Sequence, residues 1–120
     1  MKKIILLISL FWVYSTSYSQ LDTIDINNTF DTSQTIYTYT PSQSIYGIRI
    51  NGSVVLNDYY SLVRVILVKS DSSELLIYEA YPWLYSKDTI LFSNAGDETY
   101  YLEALDSTYI KVEIANASIT

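Results

Sequence analysis

The chain contains no cysteine and no histidine, and these two absences limit its chemistry more than any residue it contains. Without them, Ser-His-Asp and Cys-His nucleophilic systems are excluded, and the usual ligand sets for zinc, copper and iron are missing. Only three glycines are present, and none forms part of a glycine-rich phosphate loop. No disulfide can form, so the fold has to be held together by core packing and strand pairing.

Carboxylates are the chemistry that remains. Glu79 and Glu103 are the candidates for a glycosidase-type pair, which would need a cleft and one raised pKa. Carboxylates on strands mostly face water, and a small sheet domain has little room for a deep cleft, so we expect no enzymatic activity. Asn94, Asp97 and Glu98 offer the oxygen atoms that calcium prefers, but their spacing does not match an EF-hand. We therefore predict a turn at residues 94–97, with no metal and no cofactor.

Residues 1–19 have the pattern of a secretory signal peptide. Lys2 and Lys3 are followed by an apolar run over residues 4–14, and Ser17 and Ser19 place small residues at the two positions that signal peptidase reads. The run is too short to cross a bilayer, which takes about 20 apolar residues. We predict cleavage before Gln20 and a secreted, extracellular or periplasmic product without a membrane span.

Cleavage would also make the chain more acidic. Loss of Lys2 and Lys3 leaves five basic residues against thirteen acidic ones, a net charge of −8. Phosphate backbones and anionic lipids repel such a chain, so we expect no nucleic-acid partner.

Short strand-forming segments are what the sequence has in abundance, together with thirteen tyrosines. Turn signals recur every eight to twelve residues, a spacing typical of an antiparallel sandwich or a small barrel. We predict an all-β fold, an antiparallel β-sandwich of the immunoglobulin or fibronectin-like kind, with residues 20–44 as a polar lead-in and residues 45–120 as the domain. The predicted strands, about eight, cover residues 35–40, 45–50, 53–56, 62–68, 74–81, 89–93, 99–103 and 109–115.

Four local patterns carry more detailed predictions. Asn51-Gly52 is typical of a tight hairpin turn. Residues 62–68 are apolar on both faces except at Arg64, which predicts a central strand covered on both sides. Strict alternation in the next strand would place Leu76, Tyr78 and Ala80 on one face and Leu75, Ile77 and Tyr81 on the other. In the last strand, Ile110, Val112 and Ile114 form an apolar face opposite Lys111 and Glu113.

Five aromatic residues are the candidates for ligand binding. Tyr81, Trp83 and Tyr85 alternate along a connection between strands, and Tyr59 and Tyr60 lie beside another turn. Exposed aromatic faces on a secreted sandwich stack against sugar rings and also anchor protein partners. The alternative is that Trp83 and its neighbours fill one end of the core.

The segment from Ile48 to Pro82, with its strands at residues 62–68 and 76–81, resembles a small β-sandwich accessory module of secreted and surface proteins from Bacteroidetes-type bacteria. The resemblance covers residues 45–118 and implies an extracellular accessory module without catalytic residues. Proteins of this type often carry a close cysteine pair at the position of residues 96–100, and this chain lacks that pair. Residues 105–109 are similar to the tyrosine corner of fibronectin-type sandwiches, although Tyr109 falls in register with Lys111 and Glu113.

Together these observations predict a secreted, non-catalytic accessory or adhesive module that binds a glycan, a surface component or a protein. Two alternatives remain. One is a prodomain-like segment that masks a secreted hydrolase, and the other is a structural subunit that assembles by strand donation. The sequence leaves the oligomeric state open.

Overall fold

Nine antiparallel β-strands make up the regular structure of the computed structural model, which describes residues 23–41, 43–83, 87–97 and 102–120. The signal-peptide prediction lies outside these residues. The predicted all-β, antiparallel fold is confirmed, and a β-sandwich is consistent with it. The strands are β1 (Gln34–Thr38), β2 (Gln43–Ile45), β3 (Ile48–Leu56), β4 (Leu62–Val68), β5 (Glu74–Ala80), β6 (Asp88–Asp97), β7 (Leu102–Ala104), β8 (Tyr109–Ala115) and β9 (Ala117–Ile119).

The strands form a four-stranded sheet in the order β1-β8-β4-β5, a three-stranded sheet in the order β6-β3-β9, and the pair β2-β7. The core contains the inward side chains of both larger sheets, with Val63 and Leu67 of β4 packed in one cluster with Val54 and Leu56 of β3. All four are fully buried. Complete burial of side chains of this size contributes about 1.5–3 kcal/mol each, so these two central strands stabilise the fold most.

Strand β4 is buried on both faces, as predicted from its continuous apolar sequence. Val63, Val65 and Leu67 face the core, while Ile66 and Val68 are buried on the opposite face, outside the core cluster. The neighbouring strands β8 and β5 flank β4 on both sides. The one-sided pattern of β8 is also confirmed, because Ile110 and Val112 are buried in the core.

The hairpin turn predicted at Asn51-Gly52 is wrong, because β3 runs straight through these residues. A Cβ atom on Gly52 would collide with the carbonyl oxygen of Thr120. The backbone of Thr120 makes two hydrogen bonds of 2.9 Å with Ser53, which draws the two chain segments together. Glycine is needed here for this close approach, and the two predicted strands 45–50 and 53–56 are parts of one strand.

The turn predicted at residues 94–97 is also wrong, because β6 continues to Asp97. The pairing with β3 shifts by one residue between Ile50 and Gly52, where Asn94 takes a positive φ of 52°. The backbone N–H of Asn94 donates to Oδ1 of Asn51 at 2.8 Å. Asn and Gly allow left-handed backbone in a bulge as readily as in a turn, so the sequence signal was genuine but its meaning was different.

Strict alternation in β5 is interrupted by a bulge at Ile77. The register changes between the pairs Val65–Tyr78 and Ile66–Leu76, so Ile77 is the extra residue. Ile77 and Ala80 are buried in the core and Tyr78 packs against it, whereas Leu76 faces outward and is half exposed. The predicted two-face assignment of this strand is therefore wrong at Leu75, Leu76 and Ile77.

Strands before residue 45 also belong to the sheets. β1 pairs with β8, which confirms the strand predicted near residues 35–40, and β2 pairs with β7. At the other end of the chain, β9 adds a short strand beside β3, and Phe30 forms a bridge to Ile119 on the outer side of β9. Across the described ranges, no helix is long and apolar enough to cross a membrane.

Candidate functional site: the aromatic end

Four of the five candidate aromatic residues lie at the same end of the sandwich. Strands β4 and β5 are antiparallel neighbours, so the start of β4 lies beside the end of β5. Tyr59 and Tyr60 precede β4, while Tyr81 and Trp83 follow β5. We call these four residues the aromatic end. The fifth candidate, Tyr85, lies outside the described residues.

The side chains of the aromatic end are turned toward solvent. Trp83 is 86% exposed, Tyr60 81%, Tyr81 58% and Tyr59 47%. The interpretation of Trp83 as a plug for the core is therefore wrong. The rings of Tyr59 and Tyr60 contact each other edge to face, with centroids 5.6 Å apart and planes at 79°. Rings in this arrangement present two differently oriented apolar surfaces.

A compact hydrogen-bond network fixes the turn that carries Tyr59 and Tyr60. The hydroxyl of Ser61, which is almost fully buried, donates to the carbonyl oxygen of Asn116 at 2.6 Å. The same hydroxyl accepts from the backbone N–H groups of Asn57 and Asp58 at 2.9 and 3.0 Å. A buried hydroxyl with all its bonds satisfied holds its surroundings in one geometry, so this turn is preorganised.

The carboxylate of Asp58 completes that network. One oxygen accepts from the backbone N–H of Tyr60 at 2.8 Å, and the other accepts from the side-chain amide of Asn116. Asn116 has a positive φ of 53° and joins β8 of one sheet to β9 of the other. The connection from β3 to β4 also passes between sheets at this point, so one network links both crossings.

Pro82 orients the second half of the aromatic end. It is buried, whereas Tyr81 before it and Trp83 after it are exposed. The pyrrolidine ring fixes φ at Pro82 and keeps the preceding residue extended. Since the buried residue lies between them, both aromatic side chains extend away from the core. The fixed φ of Pro82 limits the backbone freedom of this segment, which reduces the entropy lost when a ligand orders it.

The other sequence candidates are not brought together. Glu79 is on β5, where its Oε2 lies 2.5 Å from Nε of Arg64, and Glu103 is on β7 of the two-stranded pair. Asn94 donates its backbone N–H within the β6 bulge, and Glu98 lies outside the described residues. Within the described ranges, no group of three or more His, Cys, Asp or Glu residues could hold a metal ion.

Charged side chains cover the outer face of the four-stranded sheet. Lys111 bonds to Glu74 at 2.6 Å and to Glu113 at 2.9 Å, and Arg64 pairs with Glu79. These hydrogen bonds raise the pKa of the Lys111 ammonium, and the bond to Glu79 raises the pKa of the Arg64 guanidinium. A shallow depression of about 270 Å³ lies among them. Since these charges are already paired with each other, the depression is less suited to a ligand than the aromatic end.

Sequence reasoning missed the residues that support the site. Ser61 and Asn116 are separated by 55 positions in the chain and meet only after folding. The Asp58-x-x-Ser61 spacing is a local turn signal, and it could have indicated an ordered turn at Tyr59 and Tyr60. It could not have indicated the link to Asn116.

Comparisons with known proteins found no match to this chain. No family model matches the chain, and no curated protein or solved structure matches it.

Proposed function

We propose that this chain is a secreted, non-catalytic module of the accessory or adhesive type, and that it holds a glycan on its aromatic end. The observation that carries the proposal is the exposure of Trp83, Tyr60 and Tyr81 together at one end of a rigid sandwich. Burial would have assigned these rings to the core. Rigid aromatic rings on a preorganised surface bind the apolar faces of sugar rings at little entropic cost.

Charge and composition support a neutral ligand. A net charge of −8 in the mature chain repels anionic polymers, whereas a neutral polysaccharide is unaffected. Exposed polar side chains at Asn57, Lys87 and Asp88 border the aromatic end and can hydrogen-bond to hydroxyl groups. A protein partner anchored on the same rings is the alternative outcome of the test.

The test is retention of the mature chain on a panel of neutral polysaccharides and glycan arrays. We expect Trp83→Ala and Tyr60→Ala to reduce retention by about fivefold or more, since stacking on one aromatic ring is worth about 1 kcal/mol or more. Their melting temperatures should stay at the wild-type value because both side chains are exposed.

Tyr46 provides the matched control. It is 64% exposed and lies before the start of β3, at the opposite end of the sandwich. Tyr46→Ala should leave retention unchanged. Equal loss in all three variants, or retention that survives in Trp83→Ala and Tyr60→Ala, would exclude the aromatic end as the binding surface.

A further inference from the structure

The free edge of β6 differs from the other sheet edges of the described residues. β1 and β5 are outer strands of the four-stranded sheet, and each is interrupted by a bulge; β5 also carries Glu74 and Glu79. β9 has only three residues, and Phe30 covers its outer side through two hydrogen bonds to Ile119. Bulges, charges and covering segments are the devices that keep sheet edges from pairing with other chains.

Strand β6 lacks these devices between Asp88 and its bulge. It pairs with β3 on one side, and no described strand pairs with its other side. Residues 89–93 read Thr-Ile-Leu-Phe-Ser and carry neither charge nor proline, and the bulge begins at the last of them, with Ser93 and Asn94 opposite Asn51. A long uncharged edge of high β-propensity is the type of edge that pairs with another strand.

Leu91 adds an exposed apolar side chain at the middle of this segment. It is 82% exposed and pairs with Ser53 of β3, on the face of the three-stranded sheet that points away from the core. The middle of that face, which we call the uncharged face, comprises Ser53, Val55, Thr89, Leu91 and Ser118. A protruding leucine surrounded by small side chains indicates a contact surface.

We propose that β6 pairs antiparallel with β6 of a second copy of this chain about a two-fold axis at Leu91. In this register Leu91 faces its own counterpart, and Ile90 faces Phe92 of the second copy. Thr89 faces Ser93, where the bulge begins, so that two hydroxyl groups meet at each end of the paired segment. The two three-stranded sheets become one continuous sheet of six strands, and each exposed leucine is covered by the other.

The residues of the β6 edge match a second copy of themselves, and charge permits that contact. Two copies that each carry −8 repel each other over most of their surface, and the outer face of the four-stranded sheet carries three carboxylates. The uncharged face and the residues 89–93 beside it are where two copies can meet without opposing like charges. An antiparallel strand pair is also self-complementary, as an isologous dimer interface requires.

The geometry closes at two copies. A two-fold contact uses the same strand on both chains and leaves no second β6 edge, whereas the strand-donating subunit considered from the sequence would extend into a filament. The start of β6 lies at the aromatic end, since Asp88 pairs with Leu56 at the end of β3. An antiparallel dimer therefore presents its two aromatic ends in opposite directions, which would let it bridge two ligands; this consequence alone depends on the proposed function.

Sedimentation velocity of the mature chain over about 1 to 100 μM tests the pairing. We expect a concentration-dependent dimer. Leu91→Lys places two ammonium groups opposite each other at the axis and should raise the dissociation constant by about 100-fold or more. Leu76→Lys is the matched control, because Leu76 is an exposed leucine on the other sheet, and it should change the constant by less than about threefold. Both variants should keep the wild-type melting temperature of the monomer.

Disulfide trapping provides an independent reading, since the chain has no cysteine of its own. Leu91→Cys should form a covalent dimer under mild oxidation much faster than Leu76→Cys. A wild-type chain that stays monomeric throughout, with equal trapping of both cysteine variants, overturns the proposal. Filaments overturn it as well, because they require an open contact. Neither result depends on ligand binding, so the glycan proposal stands or falls separately.

Discussion

The outer faces of the two sheets differ in their charge and in how far their apolar side chains are exposed to water. On the four-stranded sheet, Arg64 and Lys111 form ion pairs with glutamates of β5 and β8, and Ile66 is buried beneath them. On the three-stranded sheet, the uncharged face carries small side chains and one protruding leucine. On the first face the charges are paired and Ile66 and Val68 are covered, although Leu76 of the outer strand β5 is half exposed. The second leaves Leu91 in water.

This difference shows that an apolar residue on the outer face of a sheet can be either covered by its neighbours or left exposed. Ile66 and Leu91 are both central in their strands and both point away from the core. Ile66 is covered by the long side chains of neighbouring strands, which lie over apolar surface while their charged ends stay in water. Leu91 is on an edge strand beside Ser53, and no described strand lies on its other side, so it stays 82% exposed.

The largest effect is expected where the two sheets face each other. Leu67→Ala removes a fully buried side chain from the common core and should lower the free energy of unfolding by about 2–5 kcal/mol. Ile66→Ala, on the same strand but beneath the ion pairs, should cost less because the flexible charged side chains can close over the gap. Urea denaturation of the two variants measures the difference. Equal losses would mean that the charged face packs as tightly as the core.

The second-largest effect on stability is expected at the close approach of Gly52 to Thr120, beneath the uncharged face. Gly52→Ala forces a Cβ atom against the carbonyl oxygen of Thr120 and the ring of Phe92. We expect a loss of about 1–3 kcal/mol in unfolding free energy, as for other overpacked sites. Ser53→Ala is the control on the outward side of the same strand and should stay within about 0.5 kcal/mol of wild type. A Gly52→Ala variant as stable as wild type would show that the chain end is free to move away.

Removal of the Ser61 hydroxyl tests the link between the two sheets at the aromatic end. Ser61→Ala leaves the backbone groups of Asn57, Asp58 and Asn116 without this partner, at a cost of about 1–3 kcal/mol. Ser33 also bonds to a backbone group, at Ile114, but it is exposed, and Ser33→Ala should cost less than about 1 kcal/mol. Thermal unfolding of both variants provides the measurement. Similar losses would argue against the network as the element that orders this end.

The smallest effect is expected on the charged face. Lys111→Met removes two exposed ion pairs, worth about 0.2–1 kcal/mol together, and the loss should disappear in high salt. Because its carboxylate partners raise the pKa of Lys111, their contribution is fully present below the ordinary lysine pKa of about 10.4 and is lost as the pH rises beyond it.

Variants of Lys111 separate its contribution from that of Tyr78, which also titrates in the alkaline range. Burial raises the pKa of the Tyr78 phenol, so its ionisation lowers stability in the same direction, above the ordinary tyrosine pKa of about 10. Lys111→Met should therefore show a smaller alkaline loss than wild type, while Lys111→Arg, which keeps its charge, should show none of the loss due to Lys111. Stability curves of the three proteins against pH, at low and high salt, decide this. Identical curves for wild type and Lys111→Met would show that the ion pairs do not stabilise the fold.

Local patterns were sufficient for the fold class and for the central strands. The continuous apolar sequence of β4 and the one-sided alternation of β8 are direct consequences of what each face contacts, so periodicity identified both. The same reasoning failed at Asn51-Gly52, at Asn94 and at Ile77. Turns and bulges use the same residue types and the same left-handed backbone, and only the partner strand distinguishes them.

For the candidate site, the sequence supplied the aromatic residues but not their setting. An alternation such as Tyr81-Pro82-Trp83 fits either an exposed surface or a plugged core, because hydropathy does not show which way a side chain points in a connection. The supporting contacts of Ser61 and Asn116 join residues far apart in the chain. Such contacts depend on which strands cross between the sheets.

The sequence by itself determined that this chain is an antiparallel β protein with β4 at its centre, because strand formation and face burial depend on neighbours two positions apart. Tertiary structure alone decided that four of the candidate aromatic residues gather at one exposed end, that the backbone of Thr120 lies against Gly52, and that no described strand pairs with the outer edge of β6. These features depend on strand order and register, which are set by contacts between segments that are distant in the chain.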